Sequence, residues 1–199
     1  MKKEEQMRVE NFEYQKKKLE EQGYIAKKGT ISVLMANVLA IVIAIPMCAA
    51  IEYLYVHIWG EVTMNVDSKA MFICIVAMLV CIVIHEWIHG FTWHFFCKEK
   101  WKSIHIGFQA KLLTPYCHCK EPLAFKGYLL GGLMPGLVLG FGVSIVGIIM
   151  ASPMVTVLGM FNLLGAGGDF TIAILLMFHR DTILMDHPRE CGFVAFSKK

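Results

Sequence analysis

Residues 80–96, VCIVIHEWIHGFTWHFF, form an apolar stretch that carries ionisable side chains in its middle. His85, Glu86 and His89 all lie within five consecutive positions. An ionisable side chain at the centre of a bilayer costs at least about 2.5 kcal/mol, so in a membrane helix such residues indicate a functional site. The alternative reading is a polar cluster that holds neighbouring helices together through hydrogen bonds.

The composition around this stretch favours a membrane protein. Hydrophobic residues make up 56% of the 199 positions, which exceeds the usual share in a soluble domain. A membrane helix needs about 20 consecutive apolar residues. Four stretches meet this requirement, at residues 30–55, 69–96, 127–150 and 153–178. The sequence therefore predicts an all-α polytopic membrane protein with a bundle of four transmembrane helices.

The basic residues predict how these helices are oriented. Residues 1–29 hold eight lysines and arginines, residues 97–126 hold six, and the segment after residue 178 holds four. The connection between the first two stretches holds only Lys69, and the connection between the last two holds none. Because basic loops stay in the cytoplasm, both termini are predicted to be cytoplasmic. We expect a multi-pass protein of the cell membrane. The expected location is the inner membrane of a bacterium.

The same pattern divides the chain into three parts. Residues 1–29 are predicted to be a charged cytosolic segment, residues 30–178 the four-span domain, and residues 179–199 a cytosolic tail. The first segment is interpreted as a solvated stretch that orients the protein, and a helix near the membrane surface is the alternative. The lipid bilayer is thus one partner. No basic patch with interleaved stacking aromatics is present, so no nucleic-acid partner is expected.

One loop has β character. Residues 104–113, IHIGFQAKLL, alternate partially between apolar and polar side chains. They predict a small cytosolic hairpin that lies against the bundle between the second and third helices. An unpaired edge of such a hairpin can hold a peptide substrate in an extended conformation by strand addition.

The seven cysteines are scattered, and three of them lie inside apolar stretches, so we expect reduced thiols rather than a disulfide framework. Cys117 and Cys119 flank His118 in TPYCHCKEP. This segment is predicted to be a loop with free thiols. A second metal site is the alternative, although no partner pair occurs at zinc-finger spacing.

The segment HEWIH matches the zinc-hydrolase pattern of two histidines at i and i+4 with a glutamate after the first. Helical spacing places both imidazoles on one face, where they can bind one zinc ion. Glu86 is rotated away from that line, in the position that a general base needs. The motif predicts His85 and His89 as metal ligands and Glu86 as the catalytic base.

A catalytic zinc usually has three protein ligands, and Asp169 is the predicted third. His85 and His89 lie about 16 and 20 residues into the second stretch, and Asp169 lies about 16 residues into the fourth. Both stretches run in the same direction across the membrane, so at 1.5 Å per residue the three reach similar depth. No basic residue lies at that depth, which disfavours an ion pair as the role of Asp169.

Asn162 lies seven residues before Asp169, two helical turns away on the same face. It is predicted either to contact the substrate or its oxyanion, or to link helices by a hydrogen bond. The third stretch carries a small residue at every fourth position. This stripe predicts close helix packing, and its members are Gly132, Gly136, Gly140 and Ser144.

The order of these features resembles the core of the site-2 proteases, which are intramembrane zinc metalloproteases. In that family the third zinc ligand is an aspartate of an Asn-Pro-Asp-Gly-like motif, which maps onto Asn162 and Asp169. The segment GGDF at 167–170 departs from it, because the proline before and the glycine after the aspartate are missing. Residues 71–196 also resemble a bacterial family of zincin-type membrane peptidases through HEWIHG, LTPYCHCKEPL, GLMPG and GGDF.

These observations predict an intramembrane zinc metallopeptidase with one Zn²⁺ per chain and a membrane or membrane-proximal peptide as substrate. A non-catalytic zinc protein that binds membrane clients is the alternative, and a fourth protein ligand such as His94 or Cys97 would favour it. A metal transporter is a third candidate. No relay of polar residues runs through the first and third stretches, which disfavours that role.

Overall fold

Three long apolar helices and one bent helix pair form the helical part of the computed structural model, which describes residues 3–62, 67–109 and 114–198. Helices α2 and α3 are continuous, and the third is α4, a π-helical segment and α5 in succession. The helices are α1 (Lys3–Glu21), α2 (Val33–Trp59), α3 (Ser68–Trp93), α4 (Phe125–Pro135), α5 (Val143–Ile149), α6 (Pro153–Gly165) and α7 (Gly167–Leu176), with the π-helical segment at Gly136–Gly142.

Helices α2 and α3 begin at residues whose side chains cap them. Ser32 accepts a hydrogen bond from the backbone N–H of Met35, and Asp67 accepts one from that of Ala70. Such caps satisfy N–H groups that have no partner within the helix. Large apolar side chains stay exposed along both helices, as lipid-facing surfaces require. The length and composition of the three helices are compatible with a membrane protein.

Helices α6 and α7 meet at a break of 47°, and together they are long and apolar enough to count as a fourth span. Ala166 joins them, and its N–H still bonds to the carbonyl of Asn162. Gly167 lies against the backbone of α2, where a Cβ would come within 2.7–2.9 Å of Ala40. Glycine at this position allows the close approach that puts the start of α7 beside α2.

The stripe of small residues packs where the sequence predicts close helix contact. A side chain at Gly136 would overlap Phe170, and one at Gly140 would overlap Leu163. Ser144 lies directly against Gly159 of α6. Gly132 differs, because a Cβ there would meet nothing within 4 Å. The stripe thus serves packing along most of its length and borders open space at its first member.

A two-stranded antiparallel hairpin follows α3. Its strands are β2 (Ile104–Gln109) and β3 (Thr114–Cys119), after a short 3-10 turn at Lys100–Ser103. The hairpin packs on α3 at Gly90, whose missing side chain leaves room for Ile104 and Cys117. Residues 110–113 of the predicted β segment lie outside the described residues. Cys117–Cys119 is a strand, so the prediction of a loop there is wrong.

A four-stranded antiparallel sheet is the largest feature that the sequence analysis did not predict. Its order is β1-β6-β5-β4, so strands from both ends of the described chain pair side by side. The strands are β1 (Tyr24–Ile31), β4 (Leu123–Ala124), β5 (Ile183–Asp186) and β6 (Cys191–Lys198).

Both faces of β6, an inner strand of this sheet, are buried in its central part. Phe193 and Ala195 of β6 pack with Tyr128 and Leu176 of the helical bundle. Val194 and Phe196 point to the opposite face, where they pack on α1. A strand with both faces covered reads as a continuous apolar run rather than an alternating one. This explains why CGFVAFSK gives no strand signal of its own.

The expectation of an all-α fold is therefore wrong in its strand content. The N-terminal helix ends at Glu21, and the chain turns at Gly23, which has a φ of +84°, into β1. The first long apolar helix begins at Val33 and not at Thr30, because Thr30 and Ile31 belong to β1. The predicted division into cytosolic ends and a membrane domain stays a prediction.

Candidate metal centre

Helix α3 presents the motif residues close to its C-terminal end. His85 and His89 are one helical turn apart and share a face, with ring centroids 4.8 Å apart. Glu86 is partly buried beside them. The motif thus lies where α3 meets both the hairpin and the α6–α7 break.

Asp169 completes a cluster of three side chains. Its Oδ2 lies 3.1 Å from Nε2 of His85, and its Oδ1 lies 3.5 Å from Nε2 of His89. The two Nε2 atoms are 3.1 Å apart. One ligand atom from each of the three residues can be chosen so that all lie within 4.8 Å of one another. The structure therefore brings together the three residues that the sequence predicts as ligands.

A backbone carbonyl fixes the tautomer of His89. Its Nδ1 lies 2.8 Å from the carbonyl oxygen of Gly131. Because a carbonyl can only accept, Nδ1 carries the proton, and in the neutral ring Nε2 has the lone pair. The ring also stacks on Trp93, at 5.2 Å between centroids and an angle of 18°. The lone pair of His89 is thus held toward His85 and Asp169.

This donor set fits a zinc ion. Ligand atoms about 2.0–2.2 Å from a tetrahedral zinc lie roughly 3.3–3.6 Å from one another, close to the distances of 3.1–3.5 Å found here. Two imidazole nitrogens and a carboxylate oxygen are ligands that zinc takes in hydrolases. Hydrogen bonds alone explain the cluster less well. The lone pair on Nε2 of His89 faces the Asp169 carboxylate, which is also an acceptor, so no hydrogen bond can join these two atoms in the neutral ring.

The break between α6 and α7 positions Asp169 in the first turn of α7. The neighbouring glycines, Gly165 and Gly168, have no atoms within 4 Å of a built Cβ and line the cavity next to the cluster. Two glycines precede the aspartate, where the site-2 protease motif has a proline. Asp169 side-chain exposure is 27%, so a solute in the cavity can reach it.

A cavity of about 320 Å³ opens onto the cluster. Its walls come from α3, β3, α4 and α7, and it is more apolar than polar. Small-molecule and peptide side-chain sites have volumes of this order. The residues that frame the cluster here include His85, Glu86, His89, Trp93, Tyr128 and Asp169.

Glu86 lines this cavity and a second one of about 220 Å³ on the other side of the motif. Cys117 of β3 lines the larger cavity together with Glu86. Strand β3 therefore borders the space that the carboxylate shares with the histidines. The carboxylate oxygen atoms can accept a proton from a solute in either cavity.

Asn162 lines the smaller cavity together with His85 and Glu86. Its Nδ2 donates to the carbonyl of Leu158 one turn earlier in α6, at 2.8 Å. The amide oxygen is the group that this bond leaves for other partners. The structure thus places Asn162 next to the motif without choosing between its two predicted roles.

His94 and Cys97 lie away from the cluster. The His94 ring stacks on Trp101 at 4.5 Å and 13°, and its Nδ1 bonds to the carbonyl of Phe91. Cys97 is buried against Cys119, with 3.4 Å between the sulfur atoms. Within the described residues, neither joins the group that could hold a metal. Three ligands leave a fourth coordination position for water or substrate.

A second aspartate borders the larger cavity, and the sequence analysis did not predict it. Asp186, at the end of β5, accepts hydrogen bonds from the Tyr128 hydroxyl at 2.6 Å, from the Cys119 N–H at 3.1 Å and from Nδ1 of His118 at 3.1 Å. Burial raises the pKa of Asp186, but the hydrogen bonds and the charge of His118 lower it by more. The carboxylate joins β3, α4 and β5 beside the site.

Comparison with known families gives one result. A family model described as "Putative zincin peptidase" matches residues 78–184, which is more than half of the chain. The matched range includes the three cluster residues, Glu86 and Asn162. Neither the curated proteins nor the solved structures contain a match to this chain.

Proposed function

The chain belongs to the zincin peptidase family, and from this premise we propose that it is a zinc-dependent metalloendopeptidase that cleaves membrane or membrane-proximal peptides. Membership in the family implies a zinc metallopeptidase. The convergence of His85, His89 and Asp169 supports the proposal most directly, because zinc hydrolases use this combination of ligands.

His85, His89 and Asp169 would hold one zinc ion. When bound, the ion supplies Lewis acidity: it lowers the pKa of water toward neutrality and polarises the scissile carbonyl. Gly131 and Trp93 keep the His89 ring in the orientation that binding requires. Three protein ligands are the number that catalytic sites use.

Glu86 is the general base in this proposal. Its carboxylate takes the proton from the attacking water and then delivers it to the leaving amine of the peptide. Cys117 of β3 lines the larger cavity with Glu86, so the strand borders the space in which both transfers take place. Asn162 borders the smaller cavity, which Glu86 also lines, and contributes an oxyanion or substrate contact.

The outer edge of β3 is the proposed position of the substrate backbone. The Cys119 N–H points away from β2 to Asp186, and alternate residues of a strand direct their N–H and C=O groups to the same side. The carbonyls of Pro115 and Cys117 therefore point to this edge too. A substrate paired there as an added strand would cross the cavity beside Glu86.

Strand pairing supports four membrane crossings. β1 precedes α2, and β6 follows α7, yet the two strands pair along eight residues. Strands that pair lie on the same side of the membrane, so the chain between them crosses an even number of times. β4 and β5 pair as well, so the chain between them, from α4 to α7, must also cross the membrane an even number of times. The bent pair α6–α7 then counts as the fourth span.

The proposed location is a bacterial inner membrane, with both termini and the hairpin on the cytoplasmic side. The basic segments support this orientation, and the resemblance to a bacterial family supports the membrane. The site then lies within the cytoplasmic half of the bundle, as in an intramembrane peptidase. A relationship to the site-2 proteases is part of the same proposal.

The test is Glu86→Gln in protein reconstituted into liposomes with a library of quenched fluorescent single-span peptides. We expect wild-type cleavage to fall by about 10²–10⁴-fold in the variant, since general acid–base catalysis contributes that much. Zinc content should stay near one ion per chain. The matched control is Glu61→Gln, the same change at an exposed position, which should cleave like the wild type.

Equal cleavage by Glu86→Gln and the wild type would contradict the proposed mechanism. Bound zinc without cleavage of any library peptide, or of soluble casein, would instead favour the non-catalytic zinc protein. Cleavage of casein but not of the membrane peptides would support the peptidase and contradict its intramembrane character.

A further inference from the structure

A separate cavity of about 250 Å³ lies between α1 and the hairpin. We propose that this cavity, the anion pocket, binds a phosphate group from an anionic lipid or from solution. Two of its side chains are cations, two are imidazoles and none is acidic. The residues that line it are Met7, Arg8, Asn11, His105, His118 and Lys120.

Arg8 is the central residue of the anion pocket. Its guanidinium carbon lies 4.8 Å from the centre of the Tyr116 ring, so the planar group stacks against β3. Its Nε is buried and has no hydrogen-bond partner among the described residues. A buried donor without an acceptor costs free energy, which an anion in the cavity would recover.

The other members are held in place around Arg8. Asn11 donates from Nδ2 to the backbone carbonyl of Lys120 at 2.9 Å, which ties α1 to the end of β3. His118 uses Nδ1 toward Asp186, and Asp186 is not part of the cavity wall. Helix α1 and the hairpin thus form two fixed walls, each with a cation.

The anion pocket lies on the opposite face of the hairpin from the metal centre. Side chains alternate along a strand, so Tyr116 and His118 face α1, whereas Cys117 and Cys119 face α3. His105 is directly opposite His118 in the register and belongs to the same face. The pocket is therefore a separate site that does not depend on the proposed peptidase function.

The size and charge of the pocket favour a phosphate group. Pockets for drug-sized ligands occupy about 300–1,000 Å³, so this cavity suits a small group rather than a nucleotide. Two positive charges match a dianion, and the arginine fork matches its oxygens. An aromatic cluster at Trp87, Phe91 and Trp101 precedes the hairpin. Such aromatics concentrate at the level of lipid headgroups.

The test measures binding of inorganic phosphate to the full-length protein in detergent by calorimetry. We expect Arg8→Gln with Lys120→Gln to weaken binding at least about tenfold, since each change removes a charge-assisted hydrogen bond. Lys17→Gln with Lys18→Gln removes the same charge from exposed positions of α1 and should leave binding within about twofold.

Two further measurements identify the source of the phosphate group and test whether phosphate binds at the metal centre instead. Phosphatidate, compared with phosphatidylcholine in nanodiscs, should displace phosphate if the natural group is a lipid headgroup, and should not if it is soluble phosphate. Chelator treatment, which removes zinc, should leave phosphate binding unchanged. Binding that disappears with zinc and ignores the Arg8 and Lys120 changes would overturn the proposal.

A footprint on the wild-type protein covers the case in which the double variant does not fold. Phosphate should protect Lys120 from amine acylation, read by mass spectrometry, while Lys17 and Lys18 react as before. Equal reaction of all three lysines with and without phosphate would overturn the proposal.

Discussion

Two aspartates face histidine rings on either side of one cavity, and their surroundings differ in kind. Asp169 meets two Nε2 atoms, and the His89 Nε2 presents a lone pair rather than a proton. Asp186 meets three groups that all donate: a hydroxyl, a backbone N–H and a ring N–H. The atoms around Asp169 suit a bound cation, whereas the hydrogen bonds of Asp186 are all made to protein groups.

The comparison shows that the direction of donors distinguishes a ligand from a structural carboxylate better than residue type does. Both are Asp–His contacts at 3.1 Å. Only at Asp169 do acceptor atoms point at one another. We therefore expect changes at Asp169 to affect metal binding and changes at Asp186 to affect stability.

The largest effect is expected from Asp169→Asn. Zinc affinity should fall by more than the roughly 10–100-fold that loss of an outer-shell partner causes, because a direct ligand loses its charge. The metal-free variant should be about as stable as metal-free wild type, since the amide oxygen of the asparagine can still accept a hydrogen bond from Nε2 of His85. Elemental analysis of purified protein and competition with a chromogenic chelator measure the affinity.

Asp181→Asn is the matched control for this change, at an exposed position in the same part of the chain. It should keep about one zinc per chain. Full zinc occupancy in Asp169→Asn would mean that the two aspartates do not differ as described.

Asp186→Asn should act on stability instead. Three donors lose a charged acceptor, and breaking a buried charged pair costs about 3–5 kcal/mol. We expect the free energy of unfolding in mixed micelles to fall by about 3 kcal/mol, with zinc content per folded chain unchanged. Denaturant titration followed by circular dichroism measures it. A change below that of Asp181→Asn would contradict the structural role.

A smaller effect is expected from Gly131→Ala. The new methyl group would overlap the Trp93 ring, which stacks on His89, and would shift the carbonyl that fixes the tautomer. Zinc affinity should fall about tenfold, the lower end for an outer-shell change. Gly132→Ala is the control, because its methyl group enters open space. Equal zinc affinities of the Gly131→Ala and Gly132→Ala variants would show that the His89–Gly131 hydrogen bond does not support zinc binding.

The smallest effect concerns pH. The pKa of Asp186 is lower in the folded protein than its ordinary value. Such a carboxyl stabilises the fold above its unfolded pKa of about 3.9, and this contribution is lost as the pH falls through the folded pKa. The stability difference between wild type and Asp186→Asn should be constant from about pH 7 to 5 and shrink below about pH 4. Metal-free protein should be used, because acid also releases zinc from histidine.

Helical geometry made the metal cluster predictable from the sequence. The i, i+4 spacing fixes the two histidines on one face, and the constant rise per residue relates their depth to that of Asp169. Their coordinates agree with that reasoning. The role of each residue in binding and catalysis stays a prediction until it is measured.

The Asp186 network was not predictable in the same way. Its members lie on β3, α4 and β5, and no periodic pattern links residues 118, 119, 128 and 186. The four-stranded sheet was not predicted for a related reason. β1 and β6 meet only in the folded chain, and β6 is apolar on both faces. Sequence periodicity reports contacts with a generic core, not with a particular distant segment.

The pairing of β1 with β6 also fixes the order in which parts of the fold can form during synthesis. Ile31 pairs with Cys191, 160 positions later, so at about 5–20 residues per second β1 waits roughly 8–32 s for its partner during synthesis. Asp169 follows His89 by 80 positions and arrives roughly 4–16 s after it. During that interval a nascent chain holds the histidines and the glutamate without the third ligand. The cluster of three side chains can therefore form only after the start of α7 has been synthesised.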